Sequence, residues 1–430
     1  MDIIIWNRVH LNENVLLKEP IHYFVNTIGV QMNKQMPEFS EKKLLVISPG
    51  YPDQYGNSAI ACFVRDQVNA IKRYFNEIIV ISPILSTFGM TAQDKFCHDY
   101  QHDNVKVYFP RCFFIPRRLN LPISFNNRYG IDNRLNIVCN LIKENKIQYD
   151  IIHAHFTLPS GHIGSALKQM TNKPLIVTIH ENGWWFQEEL NSNNSKIHDT
   201  WKNADILLRV NNHEVEYLKK FNPNSFSIKN GYDKRFFPLN KEACKKRLQL
   251  PENKKIIFSL GQLIERKGFH YLIDAMRIIT SQRDDIACYI GGSGELRKKL
   301  EKKIQEYNLE SCVHLCGFIC DDNIPLWMNA CDVFVLPSLS ESFGIVQIEA
   351  MACGTPVVAT INGGSEEIVI SNEFGFLCNT EDSKCLAEYI INTLEKEWDH
   401  ERIVQYAQIF SWENCAKDLL AIYVTGLNGS

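Results

Sequence analysis

The 430-residue sequence has no apolar run near the roughly 20 residues that a membrane-spanning helix needs. Its opening stretch, Met1-Asp2-Ile3-Ile4-Ile5-Trp6, is too short for one and lacks the basic start of a secretion signal. The expectation is a cytoplasmic chain, with room for peripheral contact at the inner face of a membrane. A net charge of -3 means that the overall charge does not suggest nucleic acid as a partner. The 14 cysteines are scattered. Only Cys312, Cys316 and Cys320 recur at intervals of four, and 313–315 reads as strand, which breaks the helical face such ligands would need. No second Cys/His cluster completes a zinc site, so the cysteines are expected as buried thiols in a reducing compartment and no metal is expected. Internal repeats and low-complexity tracts are also missing.

What is present is ordinary globular composition, 45% hydrophobic and 22% charged, in a chain long enough for two or three domains. Strand-like apolar runs alternate with helical patterns twice over. In the first half they fall at 44–48, 78–81, 105–109, 151–154, 175–179 and 206–209. In the second they fall at 256–260, 286–290, 313–315, 333–336 and 357–360. Helical segments such as 60–74, 135–144, 269–281, 295–307 and 383–394 lie between them. Alternation of this kind implies parallel sheets with right-handed crossovers, hence an α/β fold with two Rossmann-like domains. The charged stretch 233–255, with Pro238 and Pro251, is the expected linker. The divisions expected are an extension of unknown role (1–40), an N-terminal domain (41–235), a C-terminal domain (236–410) and a terminal helix (411–430).

The most informative segment runs from Pro337 to Thr360 and reads loop, helix, turn, strand after the buried strand 333–336. Glu341 lies in the loop and Glu349 about one turn inside the helix, where Ile345, Ile348 and Met351 share a face. A helix N-terminus favours anions, and Gly344 lets a ligand approach the backbone. Carboxylates there would repel phosphate unless they bind something else, and sugar or ribose hydroxyls are suitable donors to them. The site reads as built for a molecule carrying both phosphate and sugar.

This segment is similar to the glutamate–phenylalanine–glycine signature of retaining glycosyltransferases of family 4, with two glutamates separated by seven residues. The resemblance implies the GT-B architecture, two Rossmann-like parallel-sheet domains facing a central cleft, in which ligands bind outside the carboxyl ends of the strands. It covers about residues 43–427. By it, Glu341 contacts the transferred sugar, Glu349 binds the ribose, and the backbone of Ser342, Phe343, Gly344 and Ile345 faces the donor. The run Gly261-Gln262-Leu263-Ile264-Glu265-Arg266-Lys267-Gly268 resembles the family's loop for the donor diphosphate. Arg266 offers a fork and Lys267 a point charge to phosphate oxygens. The chain has no Asp-x-Asp pair of the kind that anchors a metal-bound diphosphate in the other large transferase architecture, so these two cations would stabilise the leaving group instead. Gly291-Gly292-Ser293-Gly294 reads as a structural turn. Gly317, Phe318 and Ile319 form a loop that in relatives lines the base through backbone groups.

On the other side of the cleft, the family has a histidine where this chain has His180, implying a contact with the donor sugar. His153 and His155 flank Ala154 at a strand end and are expected on opposite faces of that strand, in structural or acceptor-side roles. Gly56-Asn57 stands where many relatives carry two adjacent glycines; Gly56 is still placed near the donor, and its loop resembles enzymes of bacterial cell-surface polysaccharide assembly. Asn230-Gly231-Tyr232-Asp233 reads as a hinge turn. The stretch 105–134 holds Lys106, Arg111, Arg117, Arg118, Arg128 and Arg134 among Phe109, Phe113, Phe114 and Phe125, a mixture suited to an anionic membrane or a lipid-linked acceptor. The expected function is a metal-independent, retaining transfer from a nucleotide sugar, a uridine diphosphate sugar foremost, to a hydroxyl of a glycan or lipid-linked glycan. No cofactor beyond the co-substrate is expected. The alternatives are a nucleotide-sugar epimerase of the same fold and a non-catalytic scaffold. A pyridoxal-phosphate phosphorylase would need a Schiff-base lysine and a longer chain.

Overall fold

A computed structural model describes residues 39–55, 61–86, 95–113 and 123–428, without the side chains of 113, 123–130 and 427–428. Strands are numbered in chain order. The first domain carries β1 (Phe39–Ile47), β2 (Phe75–Ile81), β3 (Ile84–Ser86), β4 (Tyr100–His102), β5 (Val105–Tyr108), β6 (Arg111–Phe113), β7 (Ile151–His155), β8 (Leu175–Ile179), β9 (Ile206–Arg209) and β10 (Ser225–Ser227). The second carries β11 (Lys255–Leu260), β12 (Ile286–Gly291), β13 (Val313–Gly317), β14 (Val333–Leu336), β15 (Val357–Thr360) and β16 (Gly375–Cys378).

Among the described residues, eight strands of the first domain form one sheet in the order β10-β9-β8-β7-β1-β2-β5-β4. Only its β4 edge is antiparallel, and β3 and β6 pair separately. The second sheet is six-stranded, in the order β13-β12-β11-β14-β15-β16, and parallel throughout. β7, β8, β14 and β15 are buried at every position, because helices cover both faces of their sheets. Ile257 and Val335, for example, face one core layer and Phe258 and Leu336 the other.

All eleven strands read from the sequence are present. The five not read are β3, β4, β6, β10 and β16, each of three or four residues. So short a run holds too little of the two-residue period to stand out. The expected linker is corrected in one respect. It contains the helix Lys241–Arg247, capped by Asn240 and packed on the helix Ile324–Ala330 of the second domain. Two strands of chain cross between the domains side by side: Tyr232 N donates to Phe410 O at 3.0 Å. After that crossing the helix Trp412–Asn428 returns to the first domain, where Tyr423 meets Phe39 and Phe75 edge-on. The expected extension 1–40 lies outside the described residues except for Phe39 and Ser40, which belong to β1.

Candidate functional site

The loops after β11 and β14 are neighbours because their strands are. β11 pairs with β14 through Ile257–Val333 and Phe258–Phe334, so both chains leave the sheet at the same carboxyl edge. Gly268 fixes their approach. It holds φ at +65°, and a Cβ there would stand 2.0 Å from Pro337 O. Leu339 N also donates to Arg266 O at 2.7 Å. Changing Gly268 to alanine is therefore expected to cost at least about 1–2 kcal/mol of stability from the left-handed backbone alone, before the clash is counted. Urea unfolding would measure it, and an unchanged midpoint would contradict the geometry.

That approach brings three charged side chains together. Lys267 Nζ lies 2.5 Å from Glu341 Oε1, and Arg266 Nη1 lies 3.1 Å from Glu341 Oε2. Arg266 also donates to Ser340 O at 2.6 Å. Glu341 is only 6% exposed. Burial acts to raise its pKa, but Lys267 and Arg266 outweigh that and hold it below the ordinary carboxylate range. The trio carries one surplus positive charge, and each cation is already aimed by its carboxylate partner, an arrangement ready to accept phosphate oxygens. Lys267 lies along Gly261, where a Cβ would be in ordinary contact with Lys267 Cδ at 3.4 Å. Gly261 N is spent on Gly291 O, and Leu263 N on Ser293 O. The glycine turn at 291–294 is thus a brace for the loop, matching its structural reading.

Glu349 sits differently. It lies in the helix Ile345–Ala352, which begins at Gly344 with φ at +94°. No hydrogen bond to its carboxylate is formed among the described residues. Burial pushes its pKa up to about 8; Arg235 opposes this, while Asp66, Asp321 and Asp233 reinforce it. Arg235 reaches Asp321 at 3.9 Å and its Nε has no partner among the described residues. Of the two glutamates, then, one is committed to cations and one is free for a ligand's hydroxyls.

The first domain faces these loops with the carboxyl ends of β8 and β9. His180 follows β8 and is 7% exposed. Its Nε2 meets His155 Nδ1 at 2.9 Å, and its ring packs on Phe63 and Phe156. Burial, with His153 and Arg209 nearby, drives its pKa well below the usual histidine value, so it is neutral near pH 7 and acts as a hydrogen-bonding group. His153 and His155 do not point to opposite faces. Their ring centroids are 4.3 Å apart, because residues two apart in a pleated strand share a face. His153 is structural: its nitrogens meet Tyr423 Oη and Thr178 Oγ1, both at 2.7 Å, which ties the terminal helix to the first sheet.

Sequence reasoning missed the groups that hold this face together. Arg209, wholly buried at the end of β9, donates to Ile179 O (2.8 Å), Glu181 O (2.6 Å) and Glu214 Oε2 (2.9 Å from Nε), clamping the backbone on both sides of His180. Asn211 then joins Glu214 to the other domain, donating to Glu214 Oε2 at 2.6 Å and to Ser342 O at 3.1 Å. Asn182 Oδ1 and Ser340 Oγ meet at 3.4 Å, and Asn212 N donates to Glu367 at 2.8 Å. The available signal was a charged residue closing an apolar strand at Arg209.

Of the other expected residues, Phe343 is buried against Phe410, so only its backbone can serve a ligand, and Ile345 is partly buried against the same core. Phe318 is 69% exposed and Ile319 packs on the core. Gly56 and Asn57 lie outside the described residues, as do Phe114, Arg117, Arg118 and the side chains of Phe113, Phe125 and Arg128. Within the basic stretch that is described, Lys106 pairs with Glu77 at 2.5 Å and Arg111 donates to Cys97 O at 3.0 Å. Those two cations are engaged within the fold. No helix among the described residues is long and apolar enough to cross a membrane.

Comparison with known proteins bears on the family and the fold. Residues 240–410 match the family described as Glycosyl transferases group 1, and residues 93–235 match Glycosyltransferase Family 4. An uncharacterized glycosyltransferase of Methanocaldococcus jannaschii is 30% identical over 305 residues, spanning 68% of this chain and 79% of that one. Among solved structures, sucrose-phosphate synthase from Thermosynechococcus elongatus has 22% identity and a TM-score of 0.73, covering 90% of this chain and 100% of its own. Anabaena HepE in complex with UDP has 21% identity and a TM-score of 0.67, covering 89% of this chain and 100% of its own. At these identities the two structures speak for the fold.

Proposed function

We propose that this chain, which belongs to the group 1 glycosyl transferases of family 4 and has their GT-B fold, moves a sugar from a uridine diphosphate donor to a hydroxyl of a glycan or lipid-linked glycan, with retention at the anomeric carbon. The observation that carries this reading is the meeting of Arg266, Lys267 and Glu341 at one strand edge, beside a Glu349 whose carboxylate accepts no hydrogen bond among the described residues. The UDP held by Anabaena HepE supports the choice of base. The setting proposed is cell-surface polysaccharide assembly at the cytoplasmic side of the membrane, the role the loop at 49–58 resembles.

In the proposed reaction the diphosphate lies against Lys267 and Arg266 and the ribose hydroxyls donate to Glu349. The acceptor oxygen attacks the anomeric carbon from the side on which the phosphate departs. The bond from that carbon to the phosphate oxygen breaks, its electron pair stays on the phosphate, and the acceptor's proton passes to that oxygen. Lys267 and Arg266 stabilise the developing charge without a metal. Both oxygens of Glu341 are held by cations, which favours this front-side path over a double displacement through Glu341. His180, neutral, bonds a sugar hydroxyl.

UDP is the ligand to test first. Saturating UDP is expected to raise the melting temperature, since a ligand present at 100 times its Kd stabilises the folded state by about 2.7 kcal/mol. No shift with UDP or UDP-glucose would overturn the reading. The pH dependence is a sharper check. Glu349 has a folded-state pKa of about 8, above that of an exposed carboxyl, so the folded protein keeps a proton there that the unfolded chain gives up. Its contribution to stability is full below the ordinary carboxylate range and is lost as pH rises to about 8. A ribose diol needs the ionised form, so UDP affinity is expected to rise by up to about tenfold per pH unit between pH 6 and 8 and to level off above. Calorimetry should show this rise flattened in Glu349→Gln; identical profiles in the two proteins would remove Glu349 from the ribose site.

A further inference from the structure

The helix Gly183–Leu190 follows His180 at once and presents two tryptophans to solvent. Trp184 and Trp185 are 48% and 60% exposed, while Phe186 and Trp201 beside them are fully buried. Asn182 caps this helix, accepting from Trp184 N at 3.1 Å, so the aromatic pair is rigidly placed at its first turn. Trp185 borders a cavity of about 420 Å³, together with Phe156, Leu158, Glu181, Glu188 and Glu189. That volume is within the roughly 300–1,000 Å³ of small-molecule sites.

The polar groups of this cavity are unusual. Glu181 is 7% exposed; its Oε1 accepts from Thr157 N at 3.0 Å, but its Oε2 has no partner among the described residues. Glu189 accepts from Thr157 Oγ1 at 2.9 Å, and that hydroxyl also receives Trp201 Nε1 at 3.1 Å. Among the described residues no lysine or arginine lines the cavity. Arg209, the cation nearest in the network, is spent on Glu214 and two carbonyls. A buried carboxyl oxygen without a donor is costly, and a ligand hydroxyl would satisfy it.

We propose that this cavity is a subsite for one pyranose ring of a glycoside acceptor, with Trp185 against the ring's apolar face and Glu181 and Glu189 bonded to its hydroxyls. The proposal rests on the transferase reading only in calling the bound glycoside an acceptor. An aromatic face suits the C–H side of a sugar ring, and a carboxyl beside it suits the hydroxyl edge. A cationic ligand fits less well. Burial, with Glu181 close by, pushes Glu189 up to about 9, so near neutral pH it is protonated and able both to give and to take a hydrogen bond from a hydroxyl. The place is right for an acceptor. Glu181 is the residue after His180, and Asn182 next to it reaches Ser340 of the donor side at 3.4 Å.

Tryptophan fluorescence of the full chain, titrated with the methyl pyranosides of glucose, mannose, galactose and N-acetylglucosamine, tests this directly. The expected result is a saturable change with at least one glycoside, weakened tenfold or more in Trp185→Ala and in Glu181→Gln. UDP binding by calorimetry should stay within about twofold of the parent in both variants. Absence of any saturable change, or a change that survives Trp185→Ala, overturns the subsite. If UDP binds while every glycoside fails, the subsite falls and the transferase reading stands; if a glycoside binds and UDP does not, the transferase reading falls and the subsite stands. A spectral shift with anionic phospholipid vesicles that Trp185→Ala abolishes, without any glycoside response, overturns the proposal in favour of a membrane contact.

Discussion

Lys267→Ala is expected to lower kcat for sugar transfer by about 10²–10³-fold, the usual cost of removing one preorganised group aimed at developing charge. The expectation follows from placement. Lys267 is held at 2.5 Å from Glu341, so its ammonium is oriented before any ligand arrives. Binding of UDP should weaken much less than turnover falls, because the charge on the departing phosphate grows during the reaction. Arg266→Ala should act in the same direction. The double variant should lose less than the product of the two single effects, since both cations serve the same oxygens and share one carboxylate. Steady-state kinetics with UDP-glucose, alongside calorimetric titration with UDP, would separate the two contributions. Full turnover in either single variant would remove the loop after β11 from the reacting centre.

Arg209→Met should produce the largest loss of stability, about 3–5 kcal/mol, as when one partner of a buried ion pair is removed. Arg209 is fully enclosed and Glu214 is 5% exposed, so the carboxylate left behind loses its charge partner, keeps the neutral Asn211 amide as a donor and has little access to water. Two backbone carbonyls, of Ile179 and Glu181, would also lose their donor. Replacing both members, as Arg209→Met with Glu214→Leu, should recover part of the loss, because the desolvated charge is then gone. Urea midpoints of the parent, the single and the double variant would test this. A single variant within 1 kcal/mol of the parent would mean that the clamp is not energetically important.

The segments that hold Arg266, Lys267, Glu341 and Glu349 were legible because each is a local pattern, an apolar strand, a glycine-bearing loop and a helix in consecutive chain, Lys255–Thr280 and Val333–Ala352. Neighbouring strands then carry two such patterns to the same edge, as β11 and β14 do. The contact of Asn211 with Ser342 spans 131 residues and leaves no local trace. Arg209 was visible only as a charge at the end of a hydrophobic strand, and its partners could not be read from that. β10 and β16 were too short to show a period, and the helix Lys241–Arg247 was hidden by the charge that made its stretch resemble a linker. The opposite-face expectation for His153 and His155 failed on simple geometry, since a spacing of two keeps a strand residue on the same side.

The hydrogen bond between His153 and Tyr423 has a bearing on how the polypeptide matures. The first sheet is synthesised by Ser227, but the aromatic side chain that meets Phe39, Phe75 and His153 is not translated until residue 423. At about 5–20 residues per second, roughly 10–40 s of elongation separate those two points. During that interval the emerging first domain has its sheet but not its closing helix, and it presents to the ribosome exit and its chaperones an apolar face that the terminal helix finally covers.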